Sequence, residues 1–431
     1  MTYFLLVVFA LLFLIITWKK PLWAIYAVIA LLPTYLIRFK LLSIPFTWLE
    51  LMILILFAVS LIRKQLDWRM IYRNHYFWAI LSIWLFAAIS VVISLEPIKG
   101  LGIFKAYFIE PALFFWVIIS QIKTRQQLEN IFWALGLSAL YLSLFSFWQR
   151  FSAFGVPTAF LNTNGTVDRV VGPFGYPNAL GLYLGPIIIL FIGWHLYCLC
   201  RKTPPSFTVK CYSALKIIII LCSFLTIVLA KSEGAIVAIV AVCLAWGLLY
   251  KRTRKFSIGL IILVLIIFIL NAPLRNFVFT KLLLLDYSGY IRRLIWGETW
   301  TMLKDNWLWG AGLSGYQAKI VPYHLKTFEI FPYPHNIILN FWSELGLLGL
   351  ISFIYLFFLY FRENCRNIVS KGITKIHELA SERSSLLSLT LIFIMMEIII
   401  HGLVDAPYFK NDLSVMFWIF IAVSYLNRRI D

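Results

Sequence analysis

The side chains able to do chemistry are few and stand in polar breaks of an apolar sequence: Arg169, the adjacent pair Arg292 and Arg293, His335 and Asp405. Arginine binds phosphate through a planar fork of N–H donors and stays charged at any physiological pH. His335 stands just before an apolar run that reads as a helix, and the positive end of a helix favours a neutral imidazole, which is a base. These residue types predict a base placed beside arginines that bind a phosphate or pyrophosphate.

Two asparagines stand at predicted helix starts next to these residues. Asn178 follows Tyr176 and Pro177, and the free backbone N–H groups and dipole at such a start favour an anion. Because Arg169 lies upstream, we predict a phosphate-binding site at the helix start of Asn178. The alternative is that these residues contact a lipid headgroup. Asn336 is expected to begin the helix that follows His335.

Glu397, His401 and Asp405 recur at intervals of four residues. At that spacing they are predicted to share one face of a helix. Polar residues within a membrane span rarely face lipid, so we expect this face to look into the protein interior.

Other site chemistries lack their motifs. The sequence has no Asp-x-Asp pair, no His-Glu-x-x-His and no Walker loop, so it predicts neither a metal nor a nucleotide cofactor. The run Gly310-x-Gly312-x-x-Gly315 has the spacing of a dinucleotide loop, but no strand precedes it and no βαβ unit surrounds it. We therefore do not predict a Rossmann-type dinucleotide-binding site.

The elements that must position these residues are membrane helices. Hydrophobic residues make up 62% of the 431-residue chain and charged residues 13%, against about 45–50% and 25% in soluble domains. We predict an all-α polytopic membrane protein that forms a single domain over 1–431, with about 12–13 transmembrane helices. The predicted spans are 3–18, 21–37, 44–62, 76–95, 101–120, 130–149, 177–199, 214–230, 233–249, 257–272, 336–361, 385–401 and 412–427.

The net charge of +19 is mostly a matter of topology. Lysines and arginines cluster in alternate breaks between spans, which the positive-inside rule assigns to the cytoplasm. Two segments then face the outside: a smaller loop, 150–176, and a large loop, 273–335, which carries the presumed active site. The partner that this charge indicates is the lipid bilayer, and no nucleic acid is expected.

One predicted span carries a charged pair. Lys105 and Glu110 lie about a turn and a half apart in the span 101–120. We favour a mutually neutralising pair that reaches one membrane edge; the alternative is the wall of a cavity.

Four segments carry a family resemblance. The segments RVVGPFGYPNALGLYL, RRLIWGETWTMLKDNWLWGAGLSGY, PHNIILNFWSELGLLGL and HGLVDAPYF, in this order, resemble the O-antigen ligase and O-antigen polymerase superfamily of bacterial envelope proteins. The resemblance covers residues 160–410 by order and context. Its most specific part pairs Arg-x-x-x-Trp with a later His-Asn and Glu-x-Gly-Leu-x-Gly.

The resemblance implies a helical membrane bundle with one large extracytoplasmic loop, in the inner (plasma) membrane. It implies metal-independent transfer of a glycan from undecaprenyl diphosphate, with the family histidine at His335 and the diphosphate-contacting arginines at Arg169 and Arg292. Arg292, rather than Arg293, keeps the family spacing to Trp296. Where the family has Ser-Arg-Gly, this chain has Ser-Glu-Gly at 232–234, so no basic residue is assigned there.

The preferred interpretation is an enzyme, a glycan ligase or polymerase, whose partners are a polyprenyl-diphosphate-linked glycan donor and a glycan or lipid acceptor. The alternative is a transporter or flippase of lipid-linked glycans. A transporter would be expected to show two repeated halves and charges at the membrane midplane. No such repeat is found, and the charges gather at one edge.

Overall fold

The computed structural model describes residues 2–41, 44–199, 207–249, 251–325, 328–370 and 383–430. The helices of the first half are α1 Thr2–Lys19, α2 Pro21–Ala30, α3 Trp48–Ile62, α4 Trp68–Tyr72, α5 Phe77–Ile93, α6 Pro97–Ile103, α7 Glu110–Gln121 and α8 Arg125–Ser152. Those of the second half are α9 Asn178–Leu199, α10 Phe207–Leu229, α11 Glu233–Leu249, α12 Lys251–Leu270, α13 Ala272–Leu282, α14 Tyr287–Asp305, α15 Tyr316–Lys319, α16 Ile337–Ser370, α17 Arg383–Gly402 and α18 Asn411–Asn427.

The all-α polytopic class is confirmed. By length and composition, seven helical stretches of the described chain can cross a membrane: Pro97–Gln121, Arg125–Ser152, Asn178–Tyr197, Lys210–Leu229, Thr253–Leu270, Ile337–Val369 and Arg383–Gly402. Five further apolar helices are shorter, at 10–17 residues.

The N-terminal region departs from the predicted spans. Residues 21–37 end their helix at Ala30 and continue as a 3₁₀ turn, Leu32–Leu36, and residues 44–47 form a strand instead of a helix. That strand, β2 (Ile44–Thr47), pairs antiparallel with β1 (Arg38–Leu41). The next helix begins only at Trp48, because Thr47 and Glu50 form a reciprocal capping box at its N-terminus.

The core helices pack in two connected groups. α9 packs against α10 and α17, and α7 packs against α3 and α18. α16 joins the groups, since it contacts α17 of the first and α18 of the second. Because α16 and α18 both run away from the segments 271–336 and 403–410, the bundle has two distinct ends. We name the end that holds the starts of α9, α16 and α18 the site end, and the other the far end.

A glycine-rich segment, 307–315, enters a break in α16. Gly346 has φ 72° and ψ 177° within that helix, and a Cβ there would lie 2.4 Å from the Leu308 carbonyl oxygen. The freed backbone groups pair with the segment: Ala311 N donates to Ser343 O at 2.6 Å, and Leu347 N to Leu308 O at 3.0 Å.

Glu344 completes this junction by accepting a hydrogen bond from the Ser314 backbone N–H. The Glu-x-Gly-Leu-x-Gly motif thus holds the large loop against the start of α16, since buried backbone groups must find partners.

The charged pair of the span 101–120 has a different principal partner from the one predicted. Lys105 Nζ lies 2.7 Å from Glu50 Oε2 on α3 and 3.9 Å from Glu110 Oε1. Glu50 also accepts from Asn411 Nδ2 at 2.9 Å. Glu50 therefore ties α3 to the segment of Lys105 and to the start of α18 at the site end, and Lys105 does not neutralise only its neighbour in sequence.

Candidate functional site

His335 faces a carboxylate. Its Nδ1 lies 3.4 Å from Asp405 Oδ1, and the two residues are 70 positions apart in the chain. A carboxylate only accepts hydrogen bonds, so this contact makes Nδ1 the donor and leaves Nε2 as the acceptor nitrogen. No residue of the described chain bonds Nε2, and the side chain of His335 is 20% exposed. The basic nitrogen of the ring is therefore open to a substrate.

Asp405 is buried, and both of its carboxylate oxygens accept hydrogen bonds. Oδ1 also accepts from the Ala406 backbone N–H at 2.9 Å, and Oδ2 accepts from Asn178 Nδ2 at 3.0 Å. Burial raises the pKa of Asp405, but the hydrogen bond and charge of His335, with His401 and the Ala406 N–H, outweigh it and hold the pKa well below its ordinary value. The group is therefore a fixed carboxylate behind the imidazole.

Asn178 connects this pair to Arg169. Its Oδ1 accepts from Arg169 Nη2 at 3.2 Å while its Nδ2 donates to Asp405. An amide can do both at once because it carries an acceptor and two donors. The predicted place of Asn178 at the start of a helix is confirmed, since α9 begins with it.

Arg169 and Arg292 are held by neutral acceptors. Arg169 donates from Nε to Ala230 O at 2.9 Å and from Nη2 to Lys231 O at 3.2 Å. Arg292 donates from Nε to Val404 O at 3.0 Å and from Nη1 to Ser288 Oγ at 2.7 Å. Within the described residues no carboxylate forms an ion pair with either guanidinium.

The two arginines lie close enough to affect each other. Burial lowers the pKa of the Arg169 guanidinium, and the positive charge of Arg292 acts in the same direction, against Asp168 and Glu233. Arginine still remains charged at such a site. Two cations that form no ion pair among the described residues, next to a His–Asp pair, form a binding site for a ligand with more than one negative charge.

α14 anchors both sides of the site through residues one helical turn apart. Arg292 Nε donates to the carbonyl of Val404, just before Asp405. Trp296 Nε1 donates to the carbonyl of Pro334, just before His335, at 2.9 Å. Positions four apart on a helix share a face. Arg293 points elsewhere: it is exposed, and its guanidinium lies 5.9 Å from the Tyr290 ring centroid. The structure thus brings together all the predicted site residues except Arg293.

Asn336 caps the helix behind His335. Its Oδ1 accepts from the backbone N–H groups of Ile338 and Leu339, at 3.0 and 3.1 Å, and its Nδ2 donates to Leu403 O at 3.0 Å. The start of α16 is therefore tied to the segment that carries Asp405. His335 itself has a positive φ of 48°, an uncommon conformation for a non-glycine residue.

The prediction that Asp405 shares a helical face with Glu397 and His401 is wrong. α17 ends at Gly402, so Asp405 lies beyond the helix in the segment 403–410. Only Glu397 and His401 keep the i,i+4 relation, with 3.7 Å between Oε1 and Nδ1. The chain turns after Gly402, where an added Cβ would lie 3.0 Å from Pro407 Cγ and 3.1 Å from Ile337 Cβ and would have to displace them. This turn directs Asp405 towards His335.

Two tyrosines that the sequence did not single out complete the site. The Tyr333 ring meets His335 edge to face at 4.8 Å between centroids, and Phe331 does so at 5.4 Å. Burial raises the pKa of both the Tyr176 and the Tyr333 phenol, and each ring lies near enough to affect the other. The signal was available, since both tyrosines precede a proline next to a predicted site residue: Tyr-Pro-Asn and Tyr-Pro-His.

The described part of the chain has no group of three or more His, Cys, Asp or Glu side chains that could hold a metal ion. What the site can do chemically follows from the groups present. An open imidazole nitrogen can accept a proton, a buried carboxylate can stabilise the resulting imidazolium, and two arginines can stabilise negative charge.

Comparisons with known proteins agree with the resemblance seen in the sequence. The O-antigen ligase family matches residues 218–354, a range that contains Arg292 and His335. An O-antigen ligase of Salmonella typhimurium is 28% identical over 151 residues, which cover 32% of this chain and 37% of that relative. The match thus spans little more than a third of the relative's length. Both findings support the superfamily recognised from the four motif segments.

Proposed function

We propose, from the match of this chain to the O-antigen ligase and polymerase superfamily, that it is a membrane glycosyltransferase. It transfers a glycan from a polyprenyl-diphosphate-linked donor to the hydroxyl group of a glycan or lipid acceptor. His335 is the base, Asp405 orients it, and Arg169 and Arg292 bind the diphosphate. Neither a metal nor another cofactor takes part.

The diphosphate binds where the two arginines retain free N–H donors. Arg169 Nη1 and Arg292 Nη2 have no partner among the described residues, while the remaining guanidinium nitrogens are fixed by carbonyl, amide and hydroxyl oxygens. This arrangement orients the forks before substrate arrives. Because the acceptors are neutral, the positive charge of both arginines is left for the phosphates.

The reaction then needs one proton transfer and one displacement. His335 Nε2 takes the proton of the acceptor hydroxyl as its oxygen attacks the anomeric carbon of the donor. The bond from that carbon to the diphosphate oxygen breaks, and its electron pair leaves with the diphosphate, where Arg169 and Arg292 stabilise the charge. Asp405 stabilises the imidazolium, which later returns its proton to solvent.

One observation carries this proposal: two arginines without an ion-pair partner lie beside a His–Asp pair whose outer nitrogen is open. An ordinary structural role for such arginines would place a carboxylate against them, because buried unpaired charge is costly.

Reconstitution tests the proposal. The purified protein in liposomes is given a polyprenyl-diphosphate glycan and candidate acceptors, and the products are identified by mass. We expect glycan on the acceptor and free polyprenyl diphosphate. Movement of intact donor between leaflets without glycosidic transfer would support a flippase and contradict the enzyme. The mass of the product also separates a ligase, which uses a lipid acceptor, from a polymerase, which uses a second glycan.

We place the site end on the extracytoplasmic face of the plasma membrane, since the basic clusters that fall among the described residues lie at the far end. Thr163 is exposed at the site end, and Cys365 is exposed at the far end. In intact cells an impermeant thiol reagent should label Thr163→Cys in a cysteine-free background, but not a variant that keeps only Cys365. The reverse pattern would contradict this orientation.

A further inference from the structure

A cleft of ≈ 390 Å³ opens at the far end of the bundle, away from the candidate site. Its polar lining consists of His75, Arg362, Glu363, Arg366, Arg428 and Arg429. α16 leads from the site to this cleft, and the residues between His335 and Glu363 span about 40 Å at 1.5 Å per residue. The cleft is therefore too far from the candidate site for the reacting group of a ligand bound there to lie in both.

The cleft holds four arginines and one buried carboxylate, Glu363, which pairs with only two of them. Glu363 is 5% exposed. It lies 3.0 Å from Arg429 Nη1, 4.0 Å from Arg428 Nη1 and 3.3 Å from His75 Nε2. Arg362 and Arg366 are exposed and form no ion pair or hydrogen bond within the described chain. The cleft thus carries a net positive charge that its own residues do not neutralise.

The excess positive charge of the cleft affects the pKa of His75. Burial lowers the pKa of His75, and the charges of Arg429, Arg362 and Arg428 lower it further, whereas Glu363 alone opposes them. Burial and the surrounding cations both disfavour the charged form of this imidazole, and the neutral form can still donate a hydrogen bond. The cleft suits an anion with several oxygen acceptors.

We infer that this cleft binds the phosphate headgroup of an anionic phospholipid through Arg362 and Arg366. On α16, Tyr355 and Phe358 lie on the same helical face as these arginines at spacings of three and four, and they are 46% and 56% exposed. The exposed apolar side chains can contact the acyl chains of a phospholipid, and the two arginines beyond them can bind its phosphate.

The short helix α4 places the cleft at headgroup level. Trp68 and Tyr72 of α4 are 42% and 59% exposed and stack with their ring centroids 5.9 Å apart, just before His75. Exposed Trp and Tyr side chains concentrate at the membrane–water interface. Basic pockets between transmembrane helices on the cytoplasmic side are suited to anionic headgroups.

Native mass spectrometry of the detergent-purified protein tests this inference, with phosphatidylglycerol, phosphatidylcholine and inorganic phosphate as separate probes. We expect wild-type protein to retain phosphatidylglycerol in preference to phosphatidylcholine. The double variant Arg362→Gln/Arg366→Gln should lose roughly 10- to 30-fold in apparent affinity for phosphatidylglycerol, since each arginine near the surface contributes about 1 kcal/mol.

The matched control is Arg69→Gln/Arg73→Gln, which removes two exposed arginines with the same i,i+4 spacing at the same end but outside the cleft. It should retain the lipid almost as wild type does. Equal losses in the two double variants would mean diffuse surface charge and would overturn the site. Binding of inorganic phosphate without lipid would overturn the lipid as its ligand. Should the cleft variant not fold, equal retention of both lipids by wild type would still refute the inference.

Discussion

The substitution Asp405→Asn tests the His–Asp pair with the smallest change in shape. The carboxylate accepts from three donors: His335 Nδ1, the Ala406 backbone N–H and Asn178 Nδ2. An amide supplies one oxygen and one NH₂ group in the same space. If the oxygen stays towards His335, the NH₂ group faces the NH₂ group of Asn178. If it turns over, the NH₂ group faces His335 Nδ1.

Each orientation of the amide disrupts one part of the site. In the first, a buried donor faces a donor, which costs about 1–3 kcal/mol and displaces Asn178 from Arg169. In the second, Nδ1 must become the acceptor, so that the proton moves to Nε2 and the base nitrogen is blocked. A base held in the wrong tautomer loses the contribution of proton abstraction. We therefore expect the transfer rate of Asp405→Asn to fall by about 10²–10⁴-fold.

The assay measures initial rates in proteoliposomes with saturating polyprenyl-diphosphate glycan, and donor binding separately. His335→Ala should lose rate by the same order while it still inserts and binds donor. The double variant His335→Ala/Asp405→Asn should be no slower than His335→Ala alone, because residues that act as a unit are not additive.

Three results would refute this reasoning. If Asp405→Asn folds and transfers glycan within a few-fold of wild type, the carboxylate does not orient the base. If the losses of the two single variants multiply in the double variant, Asp405 acts independently of His335. A folded, donor-binding His335→Ala protein with a near-wild-type rate would remove the proposed base altogether.

Four further predictions concern the same framework. Arg292→Lys should impair donor use strongly, because lysine keeps the charge but loses the fork, whereas Arg293→Lys should be nearly neutral; an equal loss at Arg293 would contradict the assignment. A chelator should leave transfer by purified protein intact, and a strict requirement for magnesium or manganese would refute the metal-free mechanism. Gly346→Ala should lower the thermal midpoint through about 1–3 kcal/mol of backbone strain, while the control Gly297→Ala, whose Cβ meets no atom within 4 Å, should not. Although burial raises the pKa of Asp405, His335 holds it below its ordinary value. The ionised carboxylate therefore stabilises the folded protein above about pH 4, and this stabilisation is lost as the pH falls further. The difference in thermal midpoint between wild type and Asp405→Asn should narrow below that pH.

Local sequence signals predicted much of the framework. The apolar composition indicated membrane helices, and Asn336 marked the start of α16, where its side chain caps the helix. The family resemblance singled out the spacing of Arg292 to Trp296, and the structure places both one turn apart on α14, where they bond the segments that carry Asp405 and His335. These signals are readable because helix periodicity and capping act over a few residues.

The partners across the site were decided by tertiary structure. Periodicity placed Asp405 on a helix with His401, but α17 ends three residues earlier and the turn directs the carboxylate to His335, 70 residues away in sequence. Likewise, Arg169 is held by carbonyls at the end of α10, 61 and 62 positions along the chain. Such contacts depend on how distant helices pack, on where a glycine permits close approach and on which buried polar groups remain to be satisfied. A local pattern of residues contains none of that information, so the sequence supplied the chemical groups and the packing of the bundle determined their pairing.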